Sequence, residues 1–109
     1  MCRQLLALPT PPTAIVCATD AMAIGALAAC RERGIEVGKN ISIVGYGNSS
    51  HSAFSDPPLT TIDHAVFENG RHIGQSFLRL LRGDAKPADI HYLEPVVLVP
   101  RKSDGPCNK

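Results

Sequence analysis

Residues 13 to 44 leave this chain few folds to choose from. Thr13 to Ala18 (TAIVCA) is a short apolar run, and Ile41 to Val44 (ISIV) is a second, β-branched one closed by Gly45. Between them, Asp20 to Arg33 carries apolar residues at helical period. Met22, Ala23, Leu27 and Cys30 share one stripe, and Ile24, Ala28 and Arg31 form the next. Thr19 offers a hydroxyl N-cap, Asp20 sets a carboxylate at the positive end of the helix dipole, and Gly34 supplies a left-handed stop. Strand, helix and strand within about thirty residues make a βαβ unit, which requires parallel strands and a right-handed crossover. Strands of such a sheet are buried on both faces, as these near-continuous apolar runs imply.

The second strand opens into a polar loop, Gly47 to Asp56, that has neither helical nor alternating period. Pro57-Pro58 forbids helix, and Leu59-Thr60-Thr61-Ile62 returns to an extended segment. A polar loop between two parallel strands is where an open α/β sheet takes small molecules, outside the carboxyl ends of its strands. Val66, Phe67, Ile73, Phe77, Leu78, Leu80 and Leu81 then fit a second helix, Val66 to Leu81. A turn at Gly83 to Pro87 follows, then a final strand, Tyr92 to Val99, and a polar tail with Gly105-Pro106. Two helices and four strands are too few to bury both faces of a parallel sheet, and the second helix has no clear covering partner. The sheet therefore reads as cut, to be completed by oligomerisation or by further polypeptide.

With 109 residues there is room for one small domain. A hydrophobic content of 44% with 19% charged residues is that of a folded chain, not a disordered one. A net charge of +1, no Trp, two Tyr and three Phe argue against direct binding to DNA or RNA. No stretch approaches the roughly 18 to 20 apolar residues that span a bilayer, so no membrane partner is expected. Pro9, Pro11 and Pro12 make the N-terminal segment a poor signal peptide. Cys2, Cys17, Cys30 and Cys107 share no CxxC spacing and read as free thiols, which points to a cytoplasmic setting. His51, His64, His72 and His91 show no metal-ligand spacing, so no metal or other cofactor is expected. No nucleophile elbow, phosphate loop or GxGxxG is present, and Ser49, Ser50 and Ser52 beside His51 read as loop residues. The chain does not read as an enzyme.

Several strings resemble the lactose-repressor (LacI/GalR-type) family of bacterial transcription regulators. They are Pro12-Thr13-Ala14-Ile15, Ala18-Thr19-Asp20-Ala21-Met22-Ala23-Ile24-Gly25-Ala26-Leu27, Arg33-Gly34-Ile35, Ile41 to Tyr46, Pro57 to Ile62, the Gly70 to Leu81 helix and Arg101-Lys102-Ser103. The likeness covers roughly residues 9 to 104, and the Gly45-Tyr46-Gly47-Asn48 element is nearest the purine-repressor branch. It implies an α/β fold: part of a type I periplasmic-binding-protein-like parallel sheet with flanking helices. Residues 1–104 would be the C-terminal fragment of the sensor core. Within it, 13–63 and 92–103 would belong to the C-terminal lobe, 64–91 would supply a helix of an otherwise absent N-terminal lobe, and 105–109 would be a tail. The implied partners are a small effector of the sugar or purine class and a second copy of the chain. Operator DNA would be reached only through a helix-turn-helix domain that these residues lack. A solute-binding protein of the same two-lobed architecture, serving transport, is the alternative.

The resemblance assigns Thr19, Asp20, Gly47, Asn48 and His64 to the effector site. Thr19 serves as a helix cap alone or as cap and effector contact together, and Asp20 acts first on the dipole and second on a ligand. Relatives usually carry Asp where this chain has Gly47, and its carboxylate takes hydrogen bonds from the effector. Losing such a bond costs about 1.5 to 3 kcal/mol. Either the effector differs, or Asn48 substitutes, or sensing is weaker; otherwise Gly47 marks a tight turn with positive φ. His64 is a cleft contact or a hinge-surface residue. The resemblance also places Ile24, Ala28, Phe54 and Ser55 at a dimer interface.

Overall fold

In the computed structural model, residues 1–93 and 95–106 are described. Their elements run α1 (Cys2–Leu5), β1 (Ala14–Val16), α2 (Asp20–Glu32), β2 (Ser42–Tyr46), β3 (Thr60–Asp63), α3 (Val66–Arg82), a 3-10 turn (Pro87–Asp89) and β4 (Val97–Val99). One four-stranded sheet has the order β1-β2-β3-β4. β1, β2 and β3 are parallel, with Ile15 opposite Ile43 and Val44 opposite Thr60. β4 runs antiparallel to β3, with Ile62 opposite Leu98, so the sheet is mixed and not wholly parallel as expected.

The βαβ unit forms as its sequence dictates. Thr19 Oγ1 accepts from the Met22 N–H at 3.2 Å, closing the start of α2. At the other end the N–H of Gly34 (φ +66°) and that of Ile35 return to the carbonyls of Arg31 and Cys30. α2 lays Ala23, Ala26, Leu27, Ala29 and Cys30 into a core with Cys17, Ile41, Ile43 and Leu59. Met22, expected on that stripe, is instead half-exposed.

The strands are not buried on both faces. Ile43 and Gly45 are buried, but Tyr46 is exposed and Val16 is 74% exposed. Helix α2 packs against β2 from one side, and β3 is the exception, its consecutive Thr60 and Thr61 both buried. The last strand is also shorter than the expected Tyr92 to Val99 (Glu94 lies outside the described residues). Its ladder ends at the pair Asp63–Val97, where the chain turns out of β3 toward α3. Pro95 has no N–H to donate in any case.

Two features escaped the sequence reading. Residues 2–5 form a helical turn whose Arg3 grips Glu32 at the end of α2 through two hydrogen bonds, of 2.8 and 2.9 Å. Residues 101–104 are stitched to β2 and β3. The Ser103 hydroxyl donates to the Ile43 carbonyl and accepts from the Thr60 N–H, while the Ser103 carbonyl accepts from the Ile43 N–H at 2.7 Å. Asp104 bonds the Thr60 hydroxyl, and the Lys102 N–H reaches the Pro58 carbonyl at 3.0 Å.

Helix α3 stands apart. It ends cleanly at Gly83 in the left-handed region, yet none of its residues is buried. Phe67 is 85% exposed and Ile73 69%, with Val66, Phe77 and Leu81 also exposed. The radius of gyration, 18.4 Å, exceeds the roughly 13 Å of a compact chain of this length. Cys2, Cys17 and Cys30 are free, and burial pushes the Cys17 and Cys30 thiols above their ordinary range. Cys107 and the end of the tail lie outside the described residues. Among those residues, no helix is long and apolar enough to cross a membrane, and no group of three His, Cys, Asp or Glu residues is placed to hold a metal.

Candidate functional site

The carboxyl ends of β2 and β3 and the N-terminus of α2 meet in one polar surface. Its foundation is Asp20. At 2% exposure this carboxylate faces inward, where Oδ1 accepts from the Thr61 hydroxyl and Oδ2 accepts from the Ser49 N–H at 2.6 Å. Gly45 makes room for it, since a Cβ there would collide with Asp20 Oδ1 and crowd Leu59. Asp20 is therefore a buried tie between α2, β3 and the loop, and both its oxygens are already occupied. The exposed Thr19 caps the helix beside it.

The loop after β2 is braced by hydrogen bonds to its neighbours and within itself. The Gly47 N–H donates to the Ile62 carbonyl at 2.8 Å, and the Ser52 and Ser55 hydroxyls donate to loop carbonyls. Gly47 has φ +120°, a backbone that disfavours any side chain, while the nearest atom to a Cβ placed there is His64 Cε1 at 4.0 Å. The positive-φ turn foreseen for Gly47 is thus present, and the space where a carboxylate would stand is open.

Asn48, with φ 46°, has both ends of its side-chain amide engaged. Its Nδ2 donates to Asp63 Oδ2 at 2.9 Å, and its Oδ1 accepts from Arg101 Nη2 at 2.8 Å. Arg101 Nη1 donates to the Leu59 carbonyl at 2.6 Å and to the Ser52 hydroxyl at 3.0 Å. Ser52 is completely buried, so the serine beside His51 is a brace and no nucleophile. Asp63 Oδ1 accepts from the Ala65 N–H at 2.8 Å. The Asn48 bond first, then the Ala65 N–H and nearby His64, hold the Asp63 carboxyl below its ordinary range.

His64 begins the crossover into α3, its carbonyl accepting from Asn69 Nδ2 at 2.6 Å. Its ring leans on Tyr46 with centroids 4.8 Å apart and planes tilted by 31°. Its Nδ1 is enclosed without a hydrogen-bond partner. Gly47, Asn48 and His64 are thus brought together, and Thr19 and Asp20 flank them. Two cavities, of about 600 and 680 Å³, lie elsewhere: against α3 beside His72 and Tyr92, and between α1, β1 and α2.

The dimer candidates divide. Ala28 is exposed on α2 and Phe54 is 88% exposed on the loop, whereas Ile24 packs against the core. The Ser55 hydroxyl is spent on the Ser52 and Pro57 carbonyls. Arg31 of α2 donates to the Asp56 carbonyl at 2.7 Å, which sets the end of α2 beside the end of the loop. Sequence reasoning missed Asp63 and gave Arg101 no role. The available signal was a cation, Arg101, just beyond the apolar run 96–99 and Pro100.

A sheet whose parallel strands end in a braced polar loop, beside a crossover that leads out to an uncovered helix, is an α/β lobe of the periplasmic-binding type. The chain belongs to the periplasmic binding protein-like domain family, which matches residues 1–103, and within it to the lactose-repressor type of regulator core. It is 43% identical over 81 residues to the HTH-type transcriptional repressor CytR of Escherichia coli strain K12, covering 74% of this chain and 24% of that protein. It is 41% identical over 109 residues to the repressor PurR of Pectobacterium carotovorum strain PC1, covering 95% of this chain and 31% of that protein. The crystal structure of the lac repressor dimer bound to operator and the anti-inducer ONPF superposes with a TM-score of 0.85 at 37% identity, over 96% of this chain and 36% of that one. The chain thus spans about a quarter to a third of the length of these curated relatives.

Proposed function

We propose that this chain is the C-terminal part of the effector-sensing core of a cytoplasmic, non-enzymatic, lactose-repressor-type regulator. It forms one wall of a cleft for a small sugar-like or purine-like molecule. The carrying observation is the braced polar surface of Gly47, Asn48 and His64 at the very point where the chain crosses out of the lobe. α3, with no buried residue, belongs on this reading to a second lobe supplied by polypeptide outside these residues. An effector held between two lobes favours their closed arrangement and so shifts a conformational population, which changes how a dimer presents its DNA-binding segments. Exposed Ala28 and Phe54, with Ile24 and Ser55 beside them, are the residues assigned to that dimer. The regulators among its relatives support this role over solute transport.

The open space at Gly47 and the tilted Tyr46–His64 pair give the effector a flat contact where relatives present a carboxylate. A planar purine and the apolar face of a sugar both suit it. The test is to replace the matching segment of Escherichia coli CytR with this chain and follow a reporter under its operator against a panel of sugars, nucleosides and purine bases. At least one compound is expected to change reporter output. A chimera that binds operator and ignores the whole panel would sink the reading. For the isolated chain, calorimetry is expected to give dissociation constants of about 1 mM or weaker, because only one wall is present. A micromolar constant would show instead that this lobe binds unaided.

A further inference from the structure

We propose that Arg101 is a positioning residue for the cleft loop, and that Asn48, gripped between Arg101 and Asp63, ties the position of that loop to both chain crossovers. The inference rests on the effector-cleft reading and adds the route by which the cleft is coupled to the second lobe.

The lobe has two passages to and from α3. The outgoing one is Asp63-His64-Ala65, and the returning one is β4 followed by Arg101. Both meet at the side chain of Asn48. Its amide donates outward to Asp63 and its carbonyl accepts from Arg101, at 2.9 and 2.8 Å. The other oxygen of Asp63 holds the Ala65 N–H at the entry to α3, where Ala65 adopts a left-handed φ of 46°. Arg101 spends its remaining reach on the inner side of the loop, at Ser52 Oγ and the Leu59 carbonyl. Loop, outgoing crossover and returning crossover are therefore joined by charge-assisted bonds.

The chemistry of the node is selective. A primary amide carries donor and acceptor on one short side chain, so it bridges a carboxylate and a guanidinium. A carboxylate at position 48 would still accept from Arg101 but would repel Asp63. A residue in the loop that moves to meet an effector must draw Asp63, Arg101 or both with it. A hinge built from a few residues at element ends turns such a shift into lobe closure.

The prediction is read by amide hydrogen exchange, followed by NMR on the chain itself, with no ligand added. Asn48→Asp is expected to speed exchange of the Ala65 N–H about tenfold, the size of one lost hydrogen bond to a charged group. The Ala26 to Cys30 amides of α2 should stay unchanged. Combining Asn48→Asp with Asp63→Asn puts the carboxylate on the loop and the amide on the crossover, which restores a donor–acceptor pair. Ala65 exchange is then expected to return to within about threefold of the parent. Arg101→Lys, which replaces a planar fork by a point charge, should speed exchange at Ser49 and Ser52. An Ala65 amide indifferent to Asn48→Asp, or a double variant that fails to recover, would overturn the proposal. Because no effector enters the measurement, its failure would leave the cleft reading standing, and silence from the CytR chimera would leave this link standing.

Discussion

Helices α2 and α3 are built by the same rule and meet opposite fates. Both have apolar residues at helical period, a left-handed glycine at the C-terminus and basic residues in the last turn. α2 buries Ala23, Ala26, Leu27, Ala29 and Cys30 against the sheet, while the more strongly amphipathic α3 buries nothing. Periodicity specifies a face and leaves the partner of that face unstated. A helix's contribution to stability comes mostly from packing that face, so the two halves of this molecule should differ sharply in what holds them.

The largest contrast is expected between core and helix truncations. Leu59→Ala empties a fully buried site and should cost about 2 to 5 kcal/mol in denaturant unfolding. Phe77→Ala, on exposed α3, should change the same measurement by less than about 0.5 kcal/mol. Equal losses would break the comparison and show α3 packed. Ser103→Ala comes next. It removes the buried hydroxyl shared by Ile43 and Thr60 and should cost about 1 to 3 kcal/mol, with hydrogen exchange rising at Thr60 but not along α3.

The smallest effect concerns the seam between the two regions. Asp63 has its folded-state pKa held below the ordinary 3.8. Its contribution is therefore fully present above that value and lost as pH falls through the lower, folded one. In an acid titration the parent should lose the Asp63–Ala65 and Asp63–Asn48 bonds in that low range. Asp63→Asn should show no such step when Ala65 is followed by NMR.

Much of the architecture was legible because its causes are local. A cap at Thr19, a stop at Gly34, the Pro57-Pro58 step and two apolar runs are each decided within a few residues, and β1, α2, β2, β3 and α3 follow from them. What stayed hidden depends on residues far apart in sequence. Asp20 was read as a dipole charge with ligand contact second, but its burial depends on Gly45, Ser49 and Thr61. Arg101 acquires its role only when β4 brings it back to Asn48. β4 itself is cut to three residues by the length of β3, a limit that its own sequence does not contain. In the candidate site, the positive φ of Gly47 and the cap at Thr19 were readable, and the amide bridge at Asn48 was not.

The Ser103 stitch also orders events in time. β2 and β3 precede, by some sixty and forty residues, the groups that satisfy the Ile43 and Thr60 backbones. A chain emerging from the ribosome can form the βαβ unit as soon as residue 46 is out, but it cannot finish the lobe until residue 103 follows. Through that interval the amphipathic α3 is already made, so the nascent lobe carries an apolar helix and an unfinished sheet together. Such a species is prone to associate with its neighbours, and prompt arrival of residues 101–104 is its protection.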